Sequence, residues 1–155
     1  MKKILVVYHS QEKGNTKRMA ELVAKGCTQV PGVEAELVNV NEQRVDMAKA
    51  EKADGYALGT PDYFSYMAGC LKQFFDDILL ASWQKKNTVG KPYVAFLTHG
   101  GGGAGIKSID ELAKACKLER VAGNVACKGA PENQKDIDAA LALGKALAAH
   151  VAGNA

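Results

Sequence analysis

Three segments of the chain carry residue types suited to holding a phosphate and a flat aromatic ring. The first, Ser10-Gln11-Glu12-Lys13-Gly14-Asn15-Thr16, runs from an apolar stretch straight into a helical pattern. A helix start offers unpaired backbone N–H groups and a partial positive charge, which suits a phosphate. Ser10, Asn15 and Thr16 add short side-chain donors, and Gly14 permits close backbone approach. Glu12 fits poorly beside a phosphate and is expected to point outward. Ser, Asn and Thr also cap helices that bind nothing, so these residues alone leave both readings open.

The second segment, Gly59-Thr60-Pro61-Asp62-Tyr63-Phe64-Ser65-Tyr66-Met67-Ala68-Gly69, gathers three aromatics in a chain that is 6% aromatic. Offset stacking of a planar ligand on such rings adds about 0.5–1.5 kcal/mol per pair beyond area burial. The same rings could instead cover the core beneath the loop. The third segment, Thr98-His99-Gly100-Gly101-Gly102-Gly103-Ala104-Gly105, contains G-x-G-x-x-G at Gly100, Gly102 and Gly105. That fingerprint belongs after the first strand of a βαβ unit, and here it follows the fourth. A P-loop is also missed, because Ile106 separates Gly105 from Lys107-Ser108, and nucleotide hydrolysis is rejected. What remains is a backbone surface without side chains that can lie flat near a ring.

These loops need a frame, and the hydrophobic pattern supplies one. Ile4–Tyr8 is a continuous apolar run, the pattern of a parallel strand covered on both faces. A helix over 16–30 places Met19, Leu22, Val23, Gly26 and Cys27 on one face and closes at Pro31-Gly32. Residues 35–40 give a half-polar strand expected nearer a sheet edge, 43–52 a short helix, and 55–59 a third strand. A helix over 67–82 sets Met67, Cys70, Leu71, Phe74, Phe75 and Ile78 at helical spacing, so Cys70 is expected in the core. Strand 93–98, helix 106–116, a fifth strand within 121–128 and an Ala-rich helix over 133–151 complete the chain. Alternating strands and crossover helices predict one doubly wound α/β domain over residues 1–155. Ligands of such sheets bind at the carboxyl ends of the strands, where the three segments fall.

Composition narrows the function. With 20 basic and 17 acidic residues spread along the chain, the formal charge is +3. Lys2–Lys3, Lys17–Arg18 and Lys85–Lys86 are too short to form the concentrated basic face that duplex nucleic acid requires. No window approaches the ~20 apolar residues of a membrane span. Cys27, Cys70, Cys116 and Cys127 form no CxxC pair and have no His at ligand spacing, so no metal or iron–sulfur site is expected. Reduced thiols in a cytoplasmic protein are the simplest account.

Together the three loops resemble the flavodoxin-like FMN proteins. The stretch Gly59-Thr60-Pro61-x-x-Phe64-x-x-Met67-Ala68-Gly69, followed by Lys72 and Phe75-Asp76, resembles the WrbA-type NAD(P)H:quinone oxidoreductases. This implies a three-layer sandwich around a five-stranded parallel sheet of order 2-1-3-4-5, with helices on both faces. It implies FMN as cofactor, its phosphate held by Ser10, Gln11, Lys13, Gly14, Asn15 and Thr16. Thr60, Pro61, Asp62, Tyr63 and Phe64 would border the ring, with Thr98, His99, Gly100, Gly101 and Gly102 along its other side. Three features depart from the family: one extra residue between Ser10 and Gly14, no evident tetramer segment, and Lys117-Leu118-Glu119-Arg120 where a His stands in WrbA-type proteins.

The resemblance leaves an oxidoreductase drawing on NAD(P)H and passing electrons to a quinone or other small acceptor, or a flavodoxin-type carrier between redox protein partners. A homodimer is implied by the family alone. Thr60 to Met67 contains no glycine to make a peptide turn inexpensive, which predicts weak stabilisation of one-electron-reduced flavin and favours two-electron chemistry. Hydride transfer to flavin needs mainly positioning, so no residue is assigned as acid or base. His99 is the ionisable group placed near the ring, and a backbone-bonded structural role is the plainer reading of it.

Overall fold

A computed structural model describes residues 1–153 of the chain. Six strands, β1 (Lys2–Tyr8), β2 (Val33–Asn39), β3 (Gly55–Pro61), β4 (Pro92–His99), β5 (Glu119–Arg120) and β6 (Val125–Lys128), form one parallel sheet. Five helices connect or follow them: α1 (Asn15–Thr28), α2 (Met47–Lys52), α3 (Gly69–Trp83), α4 (Ile106–Ala115) and α5 (Gln134–Val151). The strand order is β2-β1-β3-β4-β5, with β6 also paired to β4. The half-polar β2 is the edge strand, as its composition predicts.

Strand residues alternate between faces, which divides the core in two. Leu5, Val7, Tyr56 and Leu58 pack with Phe74, Phe75 and Ile78 of α3 and Ile109 of α4. Ile4, Val6, Ala57, Val94 and Phe96 pack on the opposite face with Met19 and Val23 of α1 and Leu143 and Leu147 of α5. Two glycines set the distance between α1 and α5. A Cβ on Gly26 would sit 2.1 Å from the Leu141 carbonyl oxygen, and one on Gly144 would sit 1.9 Å from that of Val23. The helices meet backbone to backbone there.

The expected fifth strand is two short ones. Glu119–Arg120 pairs with the start of β4 and Val125–Lys128 with its end. Between them the chain leaves the ladder so that Asn124 Nδ2 can donate to Asp110 Oδ2 at 2.6 Å. The Tyr93 hydroxyl donates to the other oxygen of that carboxylate at 2.6 Å. Helix starts also move relative to the sequence pattern. α3 begins at Gly69 because the Met67 and Ala68 amides are taken by Ser108 Oγ (2.9 Å) and Thr60 Oγ1 (2.9 Å). α2 begins at Met47 because the Asp46 carboxylate accepts from the Ala48 amide.

Lys91 is buried and closes the other end of α2. Its ammonium donates to the carbonyls of Ala50 at 2.7 Å, Glu51 at 2.9 Å and Ala53. Burial pushes Lys91 down to about 8, against the pull of Asp54 and Glu51. Among the described residues no helix is long and apolar enough to cross a membrane.

Candidate functional site

The carboxyl ends of β1, β3, β4 and β6 open onto a cleft of about 760 Å³. That lies within the ~300–1,000 Å³ typical of cofactor and ligand sites.

One end is built by the loop between β1 and α1. Ser10, Gln11, Lys13, Gly14, Asn15 and Thr16 all line the cleft. Gly14 is the N-cap of α1 at φ +69°, a left-handed conformation that glycine adopts freely, and it places no side chain over the helix start. Ser10 Oγ accepts from the Lys17 amide at 3.1 Å, while Asn15 and Thr16 occupy positions whose amides have no partner within the helix. Glu12 lines the same end rather than pointing away, contrary to expectation; a carboxylate therefore shares the rim with Lys13. The loop is tied to β2 by a residue that the sequence pattern does not single out. Asn39 is buried; its Oδ1 accepts from the Ser10 amide at 3.0 Å and its Nδ2 donates to the Ser10 carbonyl at 3.2 Å. Asn41 donates to the same carbonyl at 3.1 Å and lines the cleft.

From the β3 loop, Pro61, Asp62 and Tyr63 reach the cleft. Thr60 is buried behind them, where its hydroxyl donates to the Pro61 carbonyl and accepts from the Ala68 amide. The three aromatics do not act together. Tyr63 and Tyr66 exchange backbone bonds of 2.9 and 3.0 Å, closing a two-residue turn with Phe64 and Ser65 both at φ +58°. This is the type I′ geometry that Asn-Gly normally supplies. It throws the Phe64 ring entirely into solvent and leaves Tyr63 as the ring lining the cleft.

The facing loop brings Thr98, His99 and Gly100 to the cleft; Gly101 and Gly102 lie further along it and do not line the cavity. Thr98 Oγ1 lies 2.7 Å from Thr16 Oγ1, which joins β4 to the helix start. The two ring-side loops are themselves bridged by Asp62. Its carboxylate accepts from the Ser65 amide at 2.8 Å and the Gly105 amide at 3.1 Å. A Cβ at Gly105 would stand 3.1 Å from the Tyr66 carbonyl oxygen, so glycine permits the close approach. His99 is not backbone-bonded through Nδ1: that atom is buried with no partner.

Register explains the residues that sequence reasoning missed. β6 pairs with β4 so that Lys128 stands opposite His99, and the Gly129 amide donates to the His99 carbonyl at 2.9 Å; Lys128 and Gly129 line the cleft. His9, the residue after β1, lies 5.6 Å from Tyr63 at 78°. Burial lowers its pKa below the ordinary 6.5, and both ring nitrogens lack partners. Cys70, expected in the core, is exposed; burial pushes the thiols of Cys27 and Cys127 up to about 12 and 11.

A phosphorylated ligand with a flat ring fits this arrangement. The Asn15 and Thr16 amides of the helix start would meet the phosphate, Tyr63 brings an aromatic ring to the cleft, and His99 lines it beside Gly100.

Comparison with known proteins leads to the same place. The family described as NADPH-dependent FMN reductase matches residues 45–126. A flavodoxin of Aquifex aeolicus is 40% identical over 105 residues, 68% of this chain and 54% of that protein. An NAD(P)H dehydrogenase (quinone) of Geobacter sulfurreducens is 33% identical over 124 residues, 63% of this chain and 60% of that protein. Among solved structures, a flavodoxin from the domain Archaea superposes with TM-score 0.84 at 27% identity, covering 97% of this chain and 99% of the other. The chain spans 44–60% of the length of the curated relatives it matches.

Fold and cleft thus define a flavodoxin-like FMN protein. More narrowly, the chain belongs to the NADPH-dependent FMN reductase family.

Proposed function

We propose that this protein is an FMN-dependent oxidoreductase that takes hydride equivalents from NAD(P)H and delivers them to a quinone or another small acceptor. The convergence of the Gly14–Thr16 helix start, the Tyr63 ring and the His99 side chain on one cleft carries the reading. When bound, FMN supplies the reversible acceptance of hydride. The chain's part is to bind and orient it. Ser10, Gln11, Lys13, Gly14, Asn15 and Thr16 surround the phosphate, with the Asn15 and Thr16 amides at the helix start donating to it and the helix dipole aiding them. The Ser10 and Gly14 amides are already engaged by Asn39 and the Gln11 carbonyl. Pro61, Asp62 and Tyr63 border one side of the ring, and Thr98, His99 and Gly100 the other. Thr60, Phe64, Gly101 and Gly102 shape these loops without lining the cavity. A cytoplasmic location agrees with four unpaired cysteines, and a homodimer with the family resemblance.

The second reading is a flavodoxin-type electron carrier between redox proteins, favoured by the 40% identity to the Aquifex aeolicus flavodoxin. One experiment separates the two. The purified protein is saturated with FMN, stripped of excess, and mixed anaerobically with NADH or NADPH while the visible spectrum is recorded. Rapid bleaching supports the oxidoreductase, and retained colour that survives both nucleotides supports the carrier. Failure to retain FMN overturns both.

A further inference from the structure

His9 is an odd residue for its position. It is 5% exposed, its backbone amide extends the β1–β3 pairing by donating to the Gly59 carbonyl at 3.1 Å, and neither ring nitrogen has a partner. Buried imidazoles are ordinarily fixed by a hydrogen bond at one nitrogen or both. Here the ring serves as an aromatic body, set edge to face against Tyr63. Tyr63 has little other means of adjusting. Its backbone is locked to Tyr66 in a turn whose central residues sit at φ +58°, which leaves side-chain contacts, the edge-to-face contact with His9 among them, to set where that ring stands in the cleft.

We infer that His9 is a positioning residue for the flavin: as the neutral imidazole it backs Tyr63 in the cleft, and taking up a proton removes that support and weakens FMN binding. The inference rests on the FMN reading above. Charged groups on the neighbouring elements do not offset a charge on this ring. Asp62 is turned to the Ser65 and Gly105 amides, Glu42 acts on Tyr8, Glu12 and Lys13 stand on the open rim, and His99 and Lys128 line the cleft from β4 and β6; none of them adds to the effect of burial on His9. The nearby β2 end contributes the uncharged Asn39 and Asn41. Burial alone acts on His9 and disfavours its charged form. A phenyl ring at this place would make the same edge-to-face contact with no nitrogen to protonate.

The test is the FMN dissociation constant, read by quenching of flavin fluorescence from pH 8 to pH 5, for the wild-type protein and His9→Phe. The phosphate of FMN titrates near pH 6 in both experiments, so its contribution is common to the two profiles. Expected is a wild-type constant that rises relative to the variant's as pH falls below 6.5, because the binding-competent fraction falls as His9 takes up its proton. Circular dichroism of the apoproteins at each pH reports whether the fold persists. Parallel profiles, a wild-type profile that tightens on acidification, or a loss of binding that merely tracks unfolding would each overturn the inference while leaving FMN binding intact. Absence of FMN binding by both proteins at every pH would overturn the FMN reading and this inference with it.

Discussion

Replacing Gly144 by alanine sets two ordinary effects against each other. Alanine is the better helix former by about 1 kcal/mol, so propensity alone says that Gly144→Ala in α5 stabilises the protein. The packing says otherwise. The new methyl would lie 1.9 Å from the Val23 carbonyl oxygen, 2.8 Å from the Val23 carbonyl carbon and 3.0 Å from the Cys27 amide nitrogen. These are backbone atoms of α1, so no side chain can rotate away, and roughly 1.5 Å must be opened between the helices to restore ordinary contact. Overpacking typically costs about 1–3 kcal/mol, and a backbone clash belongs at the upper end. The net is a loss of about 2 kcal/mol, or a Tm lowered by about 4–8 °C for a domain of this size. Thermal and urea unfolding followed by circular dichroism measure it. Gly69→Ala is the control, since nothing lies within 4 Å of its added Cβ. Gly26→Ala should destabilise likewise through Leu141. The double variant should lose less than the sum, because helices already forced apart accommodate the second methyl. A Gly144→Ala protein that melts at or above the wild-type temperature would refute the backbone-contact argument.

Further expectations concern the cleft and the groups around it. Asn39→Ala removes the bonds that tether Ser10 to β2 and should weaken FMN binding by about tenfold, with riboflavin and FMN titrations showing whether the loss is at the phosphate end. Lys91→Met should cost about 3 kcal/mol in urea unfolding, since the carbonyls of Ala50, Glu51 and Ala53 lose a charged donor. His9 has its folded pKa below its unfolded value, so the unfolded chain takes up that proton first as pH falls. Its contribution to stability is therefore full above about pH 6.5 and is lost below; comparing urea midpoints of wild type and His9→Phe from pH 7 to 5 isolates it. A thiol reagent should modify Cys70 first in the native protein, with Cys27 and Cys127 held inert by burial; one reactive thiol per chain, lost in Cys70→Ser, is the expected count.

The parts of this protein legible from sequence are those set by local periodicity. The apolar run before Ser10 and the helical face from Met19 to Cys27 need only their own neighbours to define them, and the structure buries both. Most cleft residues on the β1, β3 and β4 loops were legible too, because they follow strands of the sheet directly. Lys128 and Gly129 were not: they reach the cleft through the pairing of β6 with β4, a register no local pattern encodes. Asn39 and Asn41 read as the polar end of an edge strand until their bonds to Ser10 give them a purpose. The break between β5 and β6 was hidden because Asp110, which draws Asn124 out of the ladder, lies on a different element. Cys70 obeys the helical spacing and is exposed nonetheless: it sits in the first turn of α3, where the spacing alone does not show that the face is uncovered.

Asp62 has a consequence for what the cleft admits. With one oxygen on the Ser65 amide and the other on the Gly105 amide, it clamps the β3 loop to the glycine loop that follows β4. Neither loop can yield alone, so the gap between Pro61–Tyr63 and Thr98–Gly100 works as a fixed gauge. A gap held in this way would favour flat rings over puckered or branched ones of the same charge. Loosening the clamp with Asp62→Ala would trade that sorting for a wider and less discriminating entrance.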